Sequence, residues 1–148
     1  DNLKRKSLLM YYEKHLSKNH YDIENATSLF ELTRKKLNNI QNKKDGITDI
    51  NLGLCYFQKT RIIKYTLDRK TQNLVNRIDL KFTKSYIKLI NKLKAENHIN
   101  KSVNSEFLAQ FIYNNTTFFV NAVQNSLSMT EIENLKNSIL DTIKYYSN

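Results

Sequence analysis

The sequence predicts an all-α domain, and three observations carry that reading. Proline is absent, glycine occurs only at Gly46 and Gly53, and apolar residues recur every three to four positions through most of the 148 residues. Sheets need many tight turns, and tight turns draw on Gly and Pro. A period near 3.6 is the mark of amphipathic helices. With 40% of its residues apolar and 11% aromatic, the sequence can bury a core despite its polar average. Five to seven helices in a single domain over residues 1–148 follow, with no internal repeat, low-complexity segment or linker.

Residues 2–18 read as a first helix, with Leu9, Tyr12 and Leu16 at helical spacing and Lys4, Arg5 and Lys6 on the polar side. Asp22 offers a cap for a second helix running to about Lys44, ended by Asp45-Gly46. Thr48 opens a dense apolar stretch, Ile50 to Phe57, expected as a short buried helix, and 61–69 as a further short helix or turn. A long amphipathic helix spans Thr71 to Glu96. Leu74, Ile78, Phe82, Tyr86, Leu89, Ile90 and Leu93 make its apolar stripe, and Asn97-His98 breaks it. The next helix runs from about Asn104 to Asn125. Ser128-Met129-Thr130-Glu131 has the form of a capping box and opens the last one, which ends at Tyr146.

The helix 104–125 carries two apolar stripes. One holds Leu108, Phe111, Ile112, Phe118, Phe119, Ala122 and Val123; the other holds Ala109, Tyr113, Thr116 and Val120. A helix packed on one side of a monomer needs only one. Two stripes mean a central helix or one shared with a partner. The last helix adds Ile132, Leu135, Ile139, Leu140 and Ile143. Together the pair can form half of a four-helix-bundle dimer interface, with Leu108, Phe111, Ile112, Phe119, Val123, Ile132, Leu135, Ile139 and Ile143 as contact residues. Both helices lying in the chain's own core satisfies the same periodicity.

The net charge is +10, with 24 Lys+Arg against 14 Asp+Glu. Such an excess suits nucleic acid, an anionic membrane or an acidic ligand. A composition rich in Asn, Lys, Ile and Tyr is also what A+T-rich coding produces. Lys81, Lys84, Lys88 and Lys92 lie on one helix face, either a solvated surface or a phosphate-binding strip. Cys55 stands alone, so no internal disulfide forms, and nothing argues for an oxidising compartment. No apolar run approaches the roughly 20 residues of a membrane helix, and a cytoplasmic location is expected.

The sequence lacks a Gly-rich phosphate loop, paired cysteines and a His-Glu-x-x-His run. His15 and His20 are five apart with Asp22 and Glu24 nearby, but a metal site needs three or four convergent ligands. Glu131 and Glu133 complement a helix dipole. The expectation is a non-enzymatic protein without cofactor or metal.

The run from Leu89 to Ala109, Leu-Ile-Asn-Lys-Leu-Lys-Ala-Glu-Asn-His-Ile-Asn-Lys-Ser-Val-Asn-Ser-Glu-Phe-Leu-Ala, resembles a segment of TetR-type transcription regulators. In that family a helix ends in a Glu-Gly-like turn, and an Asp-Pro-Glu-like cap precedes a helix starting Leu-Ala. Here Asn97 replaces the Gly and Ser105 the Pro, and Ser128 to Tyr146 resembles the closing helix. The match is best over residues 74–147, and its motifs describe a hydrophobic pattern rather than a chemistry. The resemblance implies a ligand-sensing and dimerising domain. In such a domain a small apolar or amphipathic effector between the middle helices alters the spacing of two DNA-reading heads. Candidate pocket residues are Tyr12, His15, Phe30, Tyr56, Phe57, Phe82 and Tyr86. The family's helix-turn-helix has no counterpart here, and a start at Asp1 rather than Met suggests that it belongs upstream. The alternative is a small basic helical protein that binds nucleic acid or a nucleic-acid-handling partner, in the manner of a phage-encoded inhibitor.

Overall fold

The computed structural model describes residues 2–42 and 57–148, without the side chain of His15. The expected Asp45-Gly46 stop, the cap at Thr48, the segment 50–56 with Cys55, and Tyr56 lie outside the described residues. Those residues form seven α-helices and no strand, joined at one place by an isolated bridge between Ile99 and Ser147. The helices are α1 (Asn2–Tyr11), α2 (Lys18–Glu24), α3 (Leu29–Asn42), α4 (57–62), α5 (Arg69–Ala95), α6 (Ser105–Gln124) and α7 (Met129–Tyr145). A π-helical turn, Tyr12–Leu16, joins α1 to α2, and a 3₁₀ turn, Lys64–Thr66, precedes α5.

Two boundaries differ from the expectation. Residues 2–24 run on through the π-turn, and Asp22 lies inside α2 instead of opening a helix. The break comes at 25–28. Ser28 caps α3, its hydroxyl accepting from the Glu31 amide at 3.1 Å. Ser28-Leu29-Phe30-Glu31 is itself a capping-box spacing, a local signal that the reading of Asp22 passed over.

Of the later caps, Ser128 follows its sequence signal, whereas Asp68 lies in the stretch expected as a short helix or turn and starts α5 at Arg69. Asp68 accepts from the Thr71 amide, Asn104 from the Phe107 amide and Ser128 from the Glu131 amide. Asn97 and Ser126 take φ values of 63° and 57° just past α5 and α6. At each, paired reverse bonds close the helix end, His98 N–H to Leu93 O at 2.8 Å and Leu127 N–H to Ala122 O at 3.2 Å.

Helix α5 is the spine. It packs on α1, α2 and α6, while α6 also meets α3 and α7. Val75, Leu89 and Ile90 of α5 and Leu108, Ala109, Ile112 and Phe119 of α6 are fully buried, as are Leu8, Leu16 and Leu37 from the surrounding elements. Helix α6 is therefore central within the one chain, which covers most of both apolar stripes but leaves Phe118 exposed and Phe111 half-buried.

Candidate functional site

Asn2, Arg5, Lys6, Leu9 and Tyr12 recur at helical spacing on one side of the first helical segment, facing Leu74, Arg77, Ile78 and Lys81 of α5. Between them lies an open groove of about 430 Å³, inside the roughly 300–1,000 Å³ range of small-molecule sites. Its floor is apolar (Leu9, Tyr12, Leu74, Ile78) and its rim cationic (Arg5, Lys6, Arg77, Lys81). A second groove of about 630 Å³, lined by Arg5, Lys70, Asn73, Asn76 and Arg77, shares two arginines with the first. Arg5 is held by Asp68 at 2.6 Å, and the Lys81 ammonium lies 5.4 Å from the centroid of the Tyr12 ring. Among the described residues no carboxylate pairs with Lys6, Lys70 or Arg77.

Tyr12 is held in the floor by a chain of polar contacts. Its hydroxyl lies 2.6 Å from His20 Nε2, His20 Nδ1 lies 3.0 Å from Ser85 Oγ, and Ser85 donates to Glu24 Oε2 at 3.0 Å. Since a carboxylate only accepts, Ser85 must take its other bond from His20 Nδ1–H. A neutral His20 then accepts from Tyr12. Burial lowers the His20 pKa, with Lys81 and Lys36 acting the same way against Glu24. Burial also raises that of Tyr12. A hydrogen bond from Lys88 holds Glu24 below the usual carboxylate range, with help from Ser85. Phe82 packs behind this chain, 4.3 Å from the His20 ring, edge-on to Tyr12 and stacked on Tyr113 at 5.5 Å.

A second polar cluster ties α4 to α5 and α6. Arg61 Nε meets Asp79 Oδ1 at 2.8 Å, Tyr113 donates to the same oxygen at 2.7 Å, and the guanidinium lies 4.5 Å from the Tyr113 ring centroid. Arg61 also donates to Thr117 and Asn114. Burial raises the Asp79 pKa despite Arg61, and it pushes Tyr113 well above its ordinary range. Carboxylate, phenol and guanidinium are each other's partners, which is the pattern of a structural clasp.

Of the candidate pocket residues, Tyr12, Phe57, Phe82 and Tyr86 are buried and Phe30 is half-buried. Tyr12 and Phe82 touch. Phe30 instead lies under Lys144 of α7, and the Tyr86 hydroxyl accepts from Lys36 of α3. Of the described members of the set, Tyr12 alone lines the α1–α5 groove. Sequence reading missed His20 and Ser85, which act only as a pair, and Arg5, Leu74, Arg77 and Ile78 as a lining. The signal for the lining was present, since Arg5, Leu9 and Tyr12 sit at spacings of four and three, as do Leu74, Ile78 and Lys81.

The expected dimer contacts Leu108, Ile112, Phe119, Val123, Ile132, Ile139 and Ile143 are buried in the chain's own core, with Phe111 and Leu135 half-buried beside it. The exposed face of α6 holds other residues. Phe107 and Phe118 are 51% and 56% exposed, and Phe107 stacks on Phe111 at 6.3 Å.

Among the described residues no three His, Cys, Asp or Glu converge as a metal site, and no helix is long and apolar enough to cross a membrane. No protein-family model, curated protein or solved structure matches the chain.

Proposed function

We propose that this domain senses a small amphipathic anion and dimerises, acting as the effector half of a TetR-type regulator in which DNA is read by a separate helix-turn-helix module. The α1–α5 groove carries the reading. An apolar floor with a cationic rim is complementary to a molecule that has a hydrocarbon part and an acidic end. One wall is the whole of α1, a helix tied to the rest through Arg5–Asp68 and the Tyr12 chain. A ligand that binds one placement of α1 better than another shifts the balance between them, which is what an allosteric effector must do.

The dimer face in this reading is the outer side of α6: Phe107, Phe111, Asn114, Phe118 and Asn121. From Phe107 to Thr130 there is no charged residue, in a chain of net charge +10. The helix itself therefore brings no charge to this face, although Arg61 and Lys64 lie at its edge beside Asn114, Phe118 and Asn121. The spacing of four and three is that of a helix-pairing seam.

The test has two arms. Decanoate added to the chain raises its melting temperature if the groove binds such molecules, because a ligand of the folded state stabilises it. Arg77→Glu abolishes that rise. Sedimentation at micromolar concentration gives a dimer that Phe118→Lys converts to monomer. No thermal shift from any amphipathic acid sinks the sensing role, and a monomeric wild type sinks the dimer. Nucleic-acid binding is the second reading, favoured by the unpaired Lys6, Lys70 and Arg77. Its signature is affinity for duplex DNA that falls steeply with salt and needs no hydrocarbon.

A further inference from the structure

The two grooves beside α1 both have Arg5 and Arg77 in their walls, and a ligand lying across these arginines would span a trough with two chemically unlike ends. We infer that the trough takes an amphiphile whose head bears two or more phosphate-type charges. Its hydrocarbon lies over Leu9, Tyr12 and Ile78, and its head passes between the shared arginines towards Lys70. This rests on the ligand-sensing reading and names the class of ligand.

The first argument is composition along the trough. The α1–α5 end is lined by Leu9, Tyr12, Leu74 and Ile78 among its cations, whereas the other end is lined by no apolar residue. A plain fatty acid matches the first end and leaves the second empty. The polar end, about 630 Å³ and open to solvent, leaves room for a head larger than one carboxylate.

The second argument is charge. Asp68 meets Arg5, while Lys70 and Arg77 have no carboxylate among the described residues. A single negative charge answers one of them and leaves the other opposed by its neighbours. Two phosphate groups answer both, and a guanidinium fork fits phosphate oxygens in pairs.

The third is the direction of the amides. The Lys64 ammonium donates to Asn76 Oδ1 at 2.9 Å. That fixes the oxygen towards Lys64 and turns the NH₂ group away from it, as a donor. The polar end then presents ammonium, guanidinium and amide N–H groups, the donor set of a phosphate seat.

Calorimetric titration of the whole chain at 150 mM salt tests this with decyl diphosphate, decanoate, inorganic pyrophosphate and a duplex of twenty base pairs. The expected result is that decyl diphosphate binds at least about tenfold tighter than decanoate or pyrophosphate, because each lacks one half of the contacts. Lys70→Ala, at an exposed position, weakens decyl diphosphate about fivefold and leaves decanoate unchanged. If decanoate binds as tightly as decyl diphosphate and Lys70→Ala changes neither, the head seat is wrong while the sensing role stands. If pyrophosphate or the duplex binds as tightly as decyl diphosphate, the hydrocarbon is irrelevant. Both readings then give way to a phosphate-binding surface. Absence of binding to all four overturns both.

Discussion

Both halves of α5 carry cations and use them differently. Towards its C-terminus, Lys88 pairs with Glu24 at 3.1 Å. Lys92 donates to the carbonyl oxygens of Glu24 and Ala26 at 3.2 and 2.8 Å, at the C-terminal end of α2 where such oxygens lack partners. Towards its N-terminus, Lys70 and Arg77 face α1, which brings Arg5 and Lys6. What lies opposite decides the role. Against α2 the lysines fasten one helix to another; against α1, Asp68 answers Arg5, while Lys6, Lys70 and Arg77 are exposed and meet no carboxylate among the described residues.

The two halves also make opposite predictions under mutation. The largest effect belongs to the clasp at the middle of the helix. Asp79→Ala leaves Arg61 in a largely enclosed site without its carboxylate. It should lower stability by about 2–4 kcal/mol in urea unfolding, as removal of one partner from a buried pair does. A loss under about 1 kcal/mol would mean that the clasp contributes little. Next comes the contrast itself. Lys92→Met is expected to cost about 1–2 kcal/mol through two lost carbonyl contacts. Arg77→Met should stay within about 0.5 kcal/mol of wild type, or gain at low salt as repulsion is relieved. Equal losses from the two substitutions would erase the distinction between the halves.

Titration sharpens it further. His20 binds its proton less readily folded than unfolded, so its contribution to stability is present above its ordinary value of 6.5 and falls as the pH drops below it. Glu24 is depressed by its Lys88 contact, so its contribution is lost only in a more acid window, as the pH falls through its folded value below 4.5. Unfolding measured across pH should show the first loss near neutrality and its absence in His20→Gln. A flat profile between pH 7.5 and 5.5 in the wild type would contradict the Tyr12–His20–Ser85 chain. The smallest effect is a gain. Thr33 and Thr116 bury hydroxyls that have no hydrogen-bond partner among the described residues. Thr33→Val and Thr116→Val should each add about 0.5–1 kcal/mol.

The helical class, the capping box at Ser128 and the stop at Asn97 were legible because each is a local event with a residue-type signature. The centrality of α6 was half legible. Two stripes required two neighbours, but periodicity says nothing of whether a neighbour belongs to the same chain. The groove was hidden for a related reason. Lys81 and Lys88 look alike in sequence, and only the packing of α1 and α2 on either part of α5 separates them. Phe30 and Tyr86 were grouped with Tyr12 by size and position. The helix faces turn Phe30 towards α7 and the Tyr86 hydroxyl towards α3.

The turn between α1 and α2 sets the angular phase of the groove's near wall. Ser17 N–H reaches Tyr12 O at 2.9 Å, a five-residue step where an α-helix takes four. Each residue of an α-helix advances about 100° and 1.5 Å. The extra residue therefore indexes everything upstream of Tyr12 by that angle relative to α2. Drawn out into ordinary α geometry, the turn would rotate α1 about its own axis, carrying Arg5 and Leu9 off the face opposite Arg77 and Ile78 while leaving α2 where it is. A single residue of stored length thus holds the two walls in register.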